Sequence, residues 1–385
     1  MKKIWPFSFY FLYYAAFASF LPFIVLFYQK LLFSGAQIGL LTGIPPIITM
    51  IGAPFGTGLA DKTHHHKLIM GLGLAVAVGI SLLLQYVSSF VVVFALIIIF
   101  NIFMSPVSSL SDSATMTMLG EQKAMYGRIR MGGTFGWGIF ALISGVLVET
   151  QGLQIAFRLF AVIMFINLLV SQKFSFGNQE KHTSNPSWIK SFLYNRRWVI
   201  FLSNAFLGGL GAFTVAAYLF PYMAELGAGE TMMGVALTIA AIAELPVFFF
   251  GERLLKRFSA YGLFMIAVVM MGCRSLLYAV VTTPFMVLII QVISGAIFPA
   301  MWLAGVAYAD ANAPAGLKST AQGLFGATTF GFGAAVGGFV GGLLLASIGG
   351  RGMFLVFGVV ILAVLALIEG LRRLFPEKEF VTAEI

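Results

Sequence analysis

The sequence predicts an all-α membrane protein of twelve spans arranged as two pseudo-symmetric six-helix halves, and three observations carry that prediction. Hydrophobic residues make up 60% and charged residues 10% of the 385-residue chain, with a mean hydropathy of +0.98. Soluble domains carry roughly 25% charged residues, so a water-facing surface cannot be assembled from this composition. Apolar runs of about 20 residues, the length that crosses a hydrocarbon core of ~30 Å, recur along the whole chain and leave no stretch long enough for a soluble domain. Basic residues fall on alternate connections between those runs.

The first run follows Met1-Lys2-Lys3 and is read as a retained span, because it is too long for a signal sequence and lacks a small-residue cleavage site. Turn residues and charges then place helix starts near Phe7, Gln37, Leu68, Phe90, Ile129, Leu153, Trp198, Thr231, Tyr261, Phe285, Ser319 and Met353. With the N-terminus inside, eighteen of the 23 basic residues face inward, including Lys2, Lys3, Lys62, Lys67, Arg128, Arg196, Arg197, Arg253, Arg372 and Lys378. Only Lys30, Arg158 and Arg351 face outward, while Arg130 and Arg274 fall within spans. Such asymmetry orients membrane proteins, so both termini are expected to be cytoplasmic and the chain to sit in a bacterial-type inner membrane. The net charge of +9 then reflects anionic lipid rather than nucleic acid.

The longest polar stretch, Ser171 to Arg197, contains Gly177, Asn178, Asn185 and Pro186 and divides the chain in two. The expected organisation is an N-terminal bundle over 1–173, a cytoplasmic middle loop over 174–197, a C-terminal bundle over 198–374 and a cytoplasmic tail over 375–385. Two bundles rocking about a midplane site would need such a loop. Asp61-Lys62 and Glu252-Arg253 end the second and eighth spans and echo each other across the halves. Small residues from Gly323 through Gly342 would let backbones approach closely, whether for packing or for sliding. The single cysteine, Cys273, excludes an internal disulfide.

Ionisable side chains at membrane depth cost at least ~2.5 kcal/mol each and are functional by default. Four stand out: Asp112 late in the fourth span, Arg130 early in the fifth, Glu244 in the eighth and Arg274 in the ninth. Two acids and two bases facing one cavity would leave it neutral, and partner exchange among them could couple a proton, because losing an arginine neighbour raises a carboxylate's proton affinity. A static tie between helices would use the same residues. Trp137 lies seven residues after Arg130, on the same helical face, where an indole beside a guanidinium suits a sugar or an aromatic acid. Tyr10, Tyr13, Tyr14, Tyr218 and Tyr222 could line the cavity or form an interfacial belt, with one of the five touching solute. His64, His65 and His66 are consecutive on a short loop and are read as solvated rather than as a metal site. No nucleophile, base or metal constellation and no phosphate-binding loop is recognisable, which argues against an enzyme and against ATP coupling.

The stretch Tyr126-Gly127-Arg128-Ile129-Arg130-Met131-Gly132-Gly133-Thr134-Phe135-Gly136-Trp137 resembles the fifth helix of the lactose permease group of oligosaccharide:proton symporters, in the major facilitator superfamily. There the second arginine and the tryptophan hold the sugar, with an acidic partner eighteen residues before that arginine; here that position is Asp112. Ala243-Glu244-Leu245 with Phe248 to Phe250 resembles the eighth-helix segment whose glutamate binds sugar, and Arg274 falls where a coupling arginine is expected. The resemblance therefore implies substrate binding by Asp112, Arg130, Trp137 and Glu244, and proton coupling by Glu244, Arg274 and Asp112. Phe100 through Pro106 leading to Leu110-Ser111-Asp112, and Ile289 through Ile293, are similar instead to phenylpropionate-permease-like proteins. The tenth-helix lysine, histidine and glutamate of the lactose group are replaced by Gln291, Ser294 and Ile297. Leu59-Ala60-Asp61-Lys62 fits the superfamily's inner-loop signature, implying gating by Asp61 and Lys62, although Thr57 and His64 stand in place of its glycines.

The expected function is proton-coupled uptake of a small organic solute, a sugar or glycoside first and an aromatic or other organic acid second, driven by the proton gradient without a cofactor. The partners would be solute, protons and bilayer lipid, with the chain acting as a monomer. Uniport of the same solutes and drug:proton antiport are the alternatives; the fifth span lacks the Gly-and-Pro motif of drug antiporters, since Met131 to Val148 contains no proline. A non-transporting receptor is a further reading, against which the balanced buried charges count.

Overall fold

The computed structural model describes residues 3–177, 192, 194–314 and 317–374. The expected tail over 375–385 and most of the expected middle loop lie outside the described residues. Among the described residues all regular structure is helical, and eleven helices are long and apolar enough to cross a membrane. They are α1 (Ile4–Lys30), α2 (Gly35–Thr63), α3 (His66–Leu84), α4 (Phe90–Gln122), α5 (Tyr126–Gln151), α6 (Gln154–Ser171), α7 (Arg196–Glu225), α8 (Glu230–Phe258), α9 (Ala260–Val280), α10 (Pro284–Ala311) and α11 (Thr320–Leu374). Large apolar side chains face outward, Phe249 being 82% exposed, as a surface solvated by lipid requires.

The starts expected near Ser319 and Met353 belong to one helical run, α11, which breaks at Gly349. Gly349 takes φ 69° and ψ 175°, a conformation open to glycine but strained for other residues, and the chain reverses there. Before the break α11 climbs beside α7, with Gly337 on Leu210 and Gly341 on Tyr218. After it the chain descends, with Phe354 on Tyr222, Ile361 beside Gly211, and Leu371 O accepting from Arg196. Glu225 accepts from Gly350 N at 2.7 Å and so caps the helix that restarts after the break.

Local sequence sets other boundaries. Ser34 and Gln37 form a reciprocal capping box that starts α2. Pro106, lacking an N–H, interrupts α4 between Phe90–Met104 and Val107–Leu119, six residues before Asp112. Pro246 lies within α8, two residues after Glu244, without interrupting the helix. A π-helical turn over Ala327–Gly333 loosens α11 where Gly331 meets Met50 of α2.

Helices α1–α6 and α7–α11 pack mainly among themselves, and α2 against α11 and α5 against α8 join the two groups. Those joints rest on glycine. At Gly342 a Cβ would lie 2.5 Å from Gly39 N, so only bare backbone fits there. The joining contacts gather toward the end that carries Lys30, Gln151 and Glu225. Thr42 Oγ1 lies 2.8 Å from the Tyr218 hydroxyl and donates to Gly338 O at 3.0 Å, and Phe23 meets Phe220 edge to face. Thr231 N donates to Glu149 at 2.7 Å, and Thr238 donates to Gly138 O at 2.7 Å. Lys62, Lys67, Arg128, Arg253, Lys256 and Arg257 lie on the opposite end.

Candidate functional site: a wired ion pair between the helix groups

The site begins with the face α5 turns toward α1. Gly132, Gly133 and Gly136 lie against Phe7, Tyr14 and Phe11; at Gly136 a Cβ would sit 2.1 Å from Phe11 O. That closeness brings the α1 tyrosines onto Arg130. Arg130 Nη1 donates to Asp112 Oδ1 at 2.9 Å and to the Tyr126 hydroxyl at 3.3 Å, while Nη2 donates to the Tyr14 hydroxyl at 3.0 Å. The Tyr10 hydroxyl donates to Asp112 Oδ1 at 2.6 Å, and the guanidinium lies 5.4 Å from the Tyr10 ring centre. Charge-assisted bonds and cation–π contact thus hold one rotamer of each partner. The paired side chains remain 37% and 35% exposed, so solute oxygens can reach them.

Helical spacing orients the neighbours. On α5, Gly132 and Gly136 face α1, and Gly138 and Gly145 face Ala241 and Gly234 of α8. The stripe between those two faces carries Arg130 and, two turns on, the half-buried Trp137. On α8, Ala241 and Gly234 meet α5, whereas Ala240 and Ala243 meet Gly295 of α10. Glu244 falls between these contacts and therefore points at the boundary between the helix groups, near enough to the Tyr14 hydroxyl to interact with it electrostatically. It is half-buried and has no hydrogen bond or ion pair among the described residues. Asp112, Arg130, Trp137 and Glu244 thus converge on one boundary, with one acid paired and one alone.

Arg274 does not join them. It is 5% exposed inside the second helix group, where Nη2 donates to Gly211 O at 3.1 Å. Asp61 and Lys62 are exposed at the basic end, and Asp61 Oδ1 lies 2.8 Å from His66 Nε2 across the α2–α3 turn. His66 departs from the expectation of three solvated histidines: it opens α3, is 8% exposed and stacks on Phe176, which closes over it from the chain leaving α6. His64 and His65 remain exposed.

Of the five tyrosines singled out in the sequence, Tyr10 and Tyr14 serve the ion pair, whereas Tyr13 packs between Phe9 and Phe17. Tyr218 bonds Thr42 and Gly338 O at the joined end, and Tyr222 donates to Tyr278 O at 2.5 Å. Tyr126 was legible only as part of a motif; its spacing of four from Arg130 was the available signal. One turn beyond the tyrosines Phe17 enters a cavity of about 290 Å³, walled chiefly by Phe20, Tyr28, Phe100, Phe213 and Phe330, with Asn101 as a polar group on its wall. Polar anchors therefore adjoin an aromatic cavity. Among the described residues no three His, Cys, Asp or Glu side chains gather as metal ligands.

Comparison with known proteins places this arrangement in context. Residues 4–356 match the MFS_1 like family. The maltose permease of Geobacillus stearothermophilus is 27% identical over 375 residues, covering 95% of this chain and 94% of that one. The probable 3-phenylpropionic acid transporter of Escherichia coli K12 is 22% identical over 315 residues, covering 79% and 81%. Among solved structures, the nucleoside transporter NupG superposes with a TM-score of 0.85 at 18% identity, covering 98% of this chain and 100% of that one. At that identity the likeness is one of fold.

Proposed function

The chain belongs to the MFS_1 like family, a family of multi-pass membrane transporters, and from that premise we propose that it carries a small organic solute inward together with a proton by alternating access. The observation that supports this most is the Asp112–Arg130 pair, wired to tyrosines from α1 and α5 and facing the lone Glu244 across the boundary between the helix groups. Arg130 and Asp112 grip hydroxyls or a carboxylate, a ring stacks on Trp137, and the neighbouring aromatic cavity receives an apolar face. Sugars or glycosides and aromatic acids meet these demands, and the names of the maltose and 3-phenylpropionic acid relatives favour the same two classes.

Glu244 takes up the proton, and solute entering the Asp112–Arg130 pair reorganises the bonds that set the neighbouring charge. Arg274 influences coupling from within its own bundle, and Asp61 with Lys62 gates the basic end. Counting the segments on either side of Gly349 separately gives twelve spans in two six-helix bundles, 1–173 and 198–374, joined by the 174–197 loop. Positive-inside charge then puts both termini, the loop and the 375–385 tail in the cytoplasm of a cell with a bacterial-type inner membrane. No cofactor is required, and the transporter acts as a monomer. Uniport is the second reading, favoured by the neutral Gln291, Ser294 and Ile297 on α10.

Purified protein in proteoliposomes, challenged with a panel of glycosides and aromatic acids while internal pH is recorded, tests the reading. One solute class should acidify the lumen, and Asp112→Asn should be silent. Equilibration of labelled solute with no proton movement would establish uniport, and failure to move any solute of either class would remove the substrate assignment.

A further inference from the structure

A part in coupling does not supply the counter-charge that the burial of Arg274 demands. It lies mid-way along α9 against α7, and among the described residues its one hydrogen bond goes to Gly211 O and its Nε has no partner. Carboxylates of the second helix group are engaged elsewhere: Glu225 with Gly350 N, Glu252 with Lys256, Asp310 with Lys318 and Glu369 with Arg372. Glu230 starts α8 at the joined end, and Glu244 faces the group boundary. A guanidinium without counter-charge in a low-dielectric interior is costly, and the cost falls only if an anion comes to it.

Beyond Gly211 O, the buried polar side chains along this part of α9 and α10 include hydroxyls and an amide that can donate. Tyr278, one turn along α9, interacts electrostatically with the guanidinium, and its hydroxyl lies 3.2 Å from Ser294 Oγ on α10. Gln291, one turn before Ser294, is buried with an Nε2 that has no partner. Arg274, Tyr278, Gln291 and Ser294 are 5%, 0%, 2% and 6% exposed. We propose that Arg274, with the Tyr278 and Ser294 hydroxyls and the Gln291 amide beside it, binds a small monovalent inorganic anion of chloride size within the second helix bundle. The burial excludes the carboxylate of a bulky solute, so this site is separate from the transport site and independent of which solute is carried.

The test is thermal unfolding of the purified full chain at constant ionic strength in chloride, bromide or gluconate. Chloride and bromide should each give a saturable rise in Tm of a few degrees over gluconate. Ser294→Glu, which supplies a carboxylate next to the Tyr278 hydroxyl, should unfold at a higher Tm than wild type in gluconate and gain nothing from halide. If that variant does not assemble, Arg274→Gln must abolish the halide response. Equal Tm of the wild type in all three salts overturns the proposal, and so does an undiminished halide response in Ser294→Glu or Arg274→Gln, which would locate the anion elsewhere.

Discussion

Arg130 makes three hydrogen bonds to three different side chains, and a single substitution there separates charge from geometry. Lysine keeps the charge but cannot span Asp112, Tyr126 and Tyr14 from one planar group. Hydrogen bonds to charged groups contribute ~1.5–3 kcal/mol, so Arg130→Lys should weaken solute binding by about tenfold or more, read by equilibrium binding in detergent. Tyr14→Phe removes one of those bonds and should cost less than Arg130→Lys in the same assay. The membrane depth of Asp112 and Arg130 was legible from the sequence, and their pairing was implied by the resemblance to the lactose permease group. Its tyrosine partners were not, because which tyrosine reaches Arg130 depends on how close α1 comes to α5. Nor was the isolation of Arg274, since a sequence shows that a charge is at membrane depth but not which way it faces.

Helix contacts rest on missing side chains. Because a Cβ at Gly136 would lie 2.1 Å from Phe11 O, Gly136→Leu forces α1 off α5; overpacking of this kind typically costs ~1–3 kcal/mol. A fall of several degrees in Tm with loss of solute binding is expected, against little change for Gly79→Leu, where an added Cβ meets nothing. The Glu149 carboxylate of α5, accepting from Thr231 N at 2.7 Å, ties the first turn of α8 to the other helix group. Glu149→Gln weakens that tie and should raise the reactivity of a cysteine placed at Thr231 toward a membrane-impermeant reagent. Most helix starts were legible from hydropathy and turn residues, and the small-residue run in α11 correctly marked a place of close approach, against both α2 and α7. The reversal at Gly349 was legible only approximately: Gly349-Gly350 marks a turn, but the positive φ that turns the chain is a property of the folded backbone. His66 was misread because the Phe176 ring that covers it is distant in sequence.

At the scale of the whole molecule, contacts between the helix groups gather at one end, and the ion pair remains partly exposed below them. That is the geometry of a transporter joined at one end and accessible from the other, and alternating access requires the joined contacts to break as the basic end closes. Spin labels at Lys62 and Arg253, on the basic ends of α2 and α8, should therefore approach each other when saturating solute shifts the population, measured by pulsed dipolar spectroscopy. Fold class was legible because hydrophobicity, span length and charge asymmetry are additive over many residues. The proposed proton site is a single side chain, Glu244, whose direction is set by the packing of α8 against α5 and α10.

Glu244→Gln separates proton coupling from solute movement. In proteoliposomes with an imposed proton gradient, the variant should exchange labelled solute across the membrane at near wild-type rates yet fail to accumulate it. Accumulation by Glu244→Gln at the wild-type level would contradict the assignment of the proton to this carboxylate, and loss of exchange together with accumulation would assign Glu244 to solute binding instead.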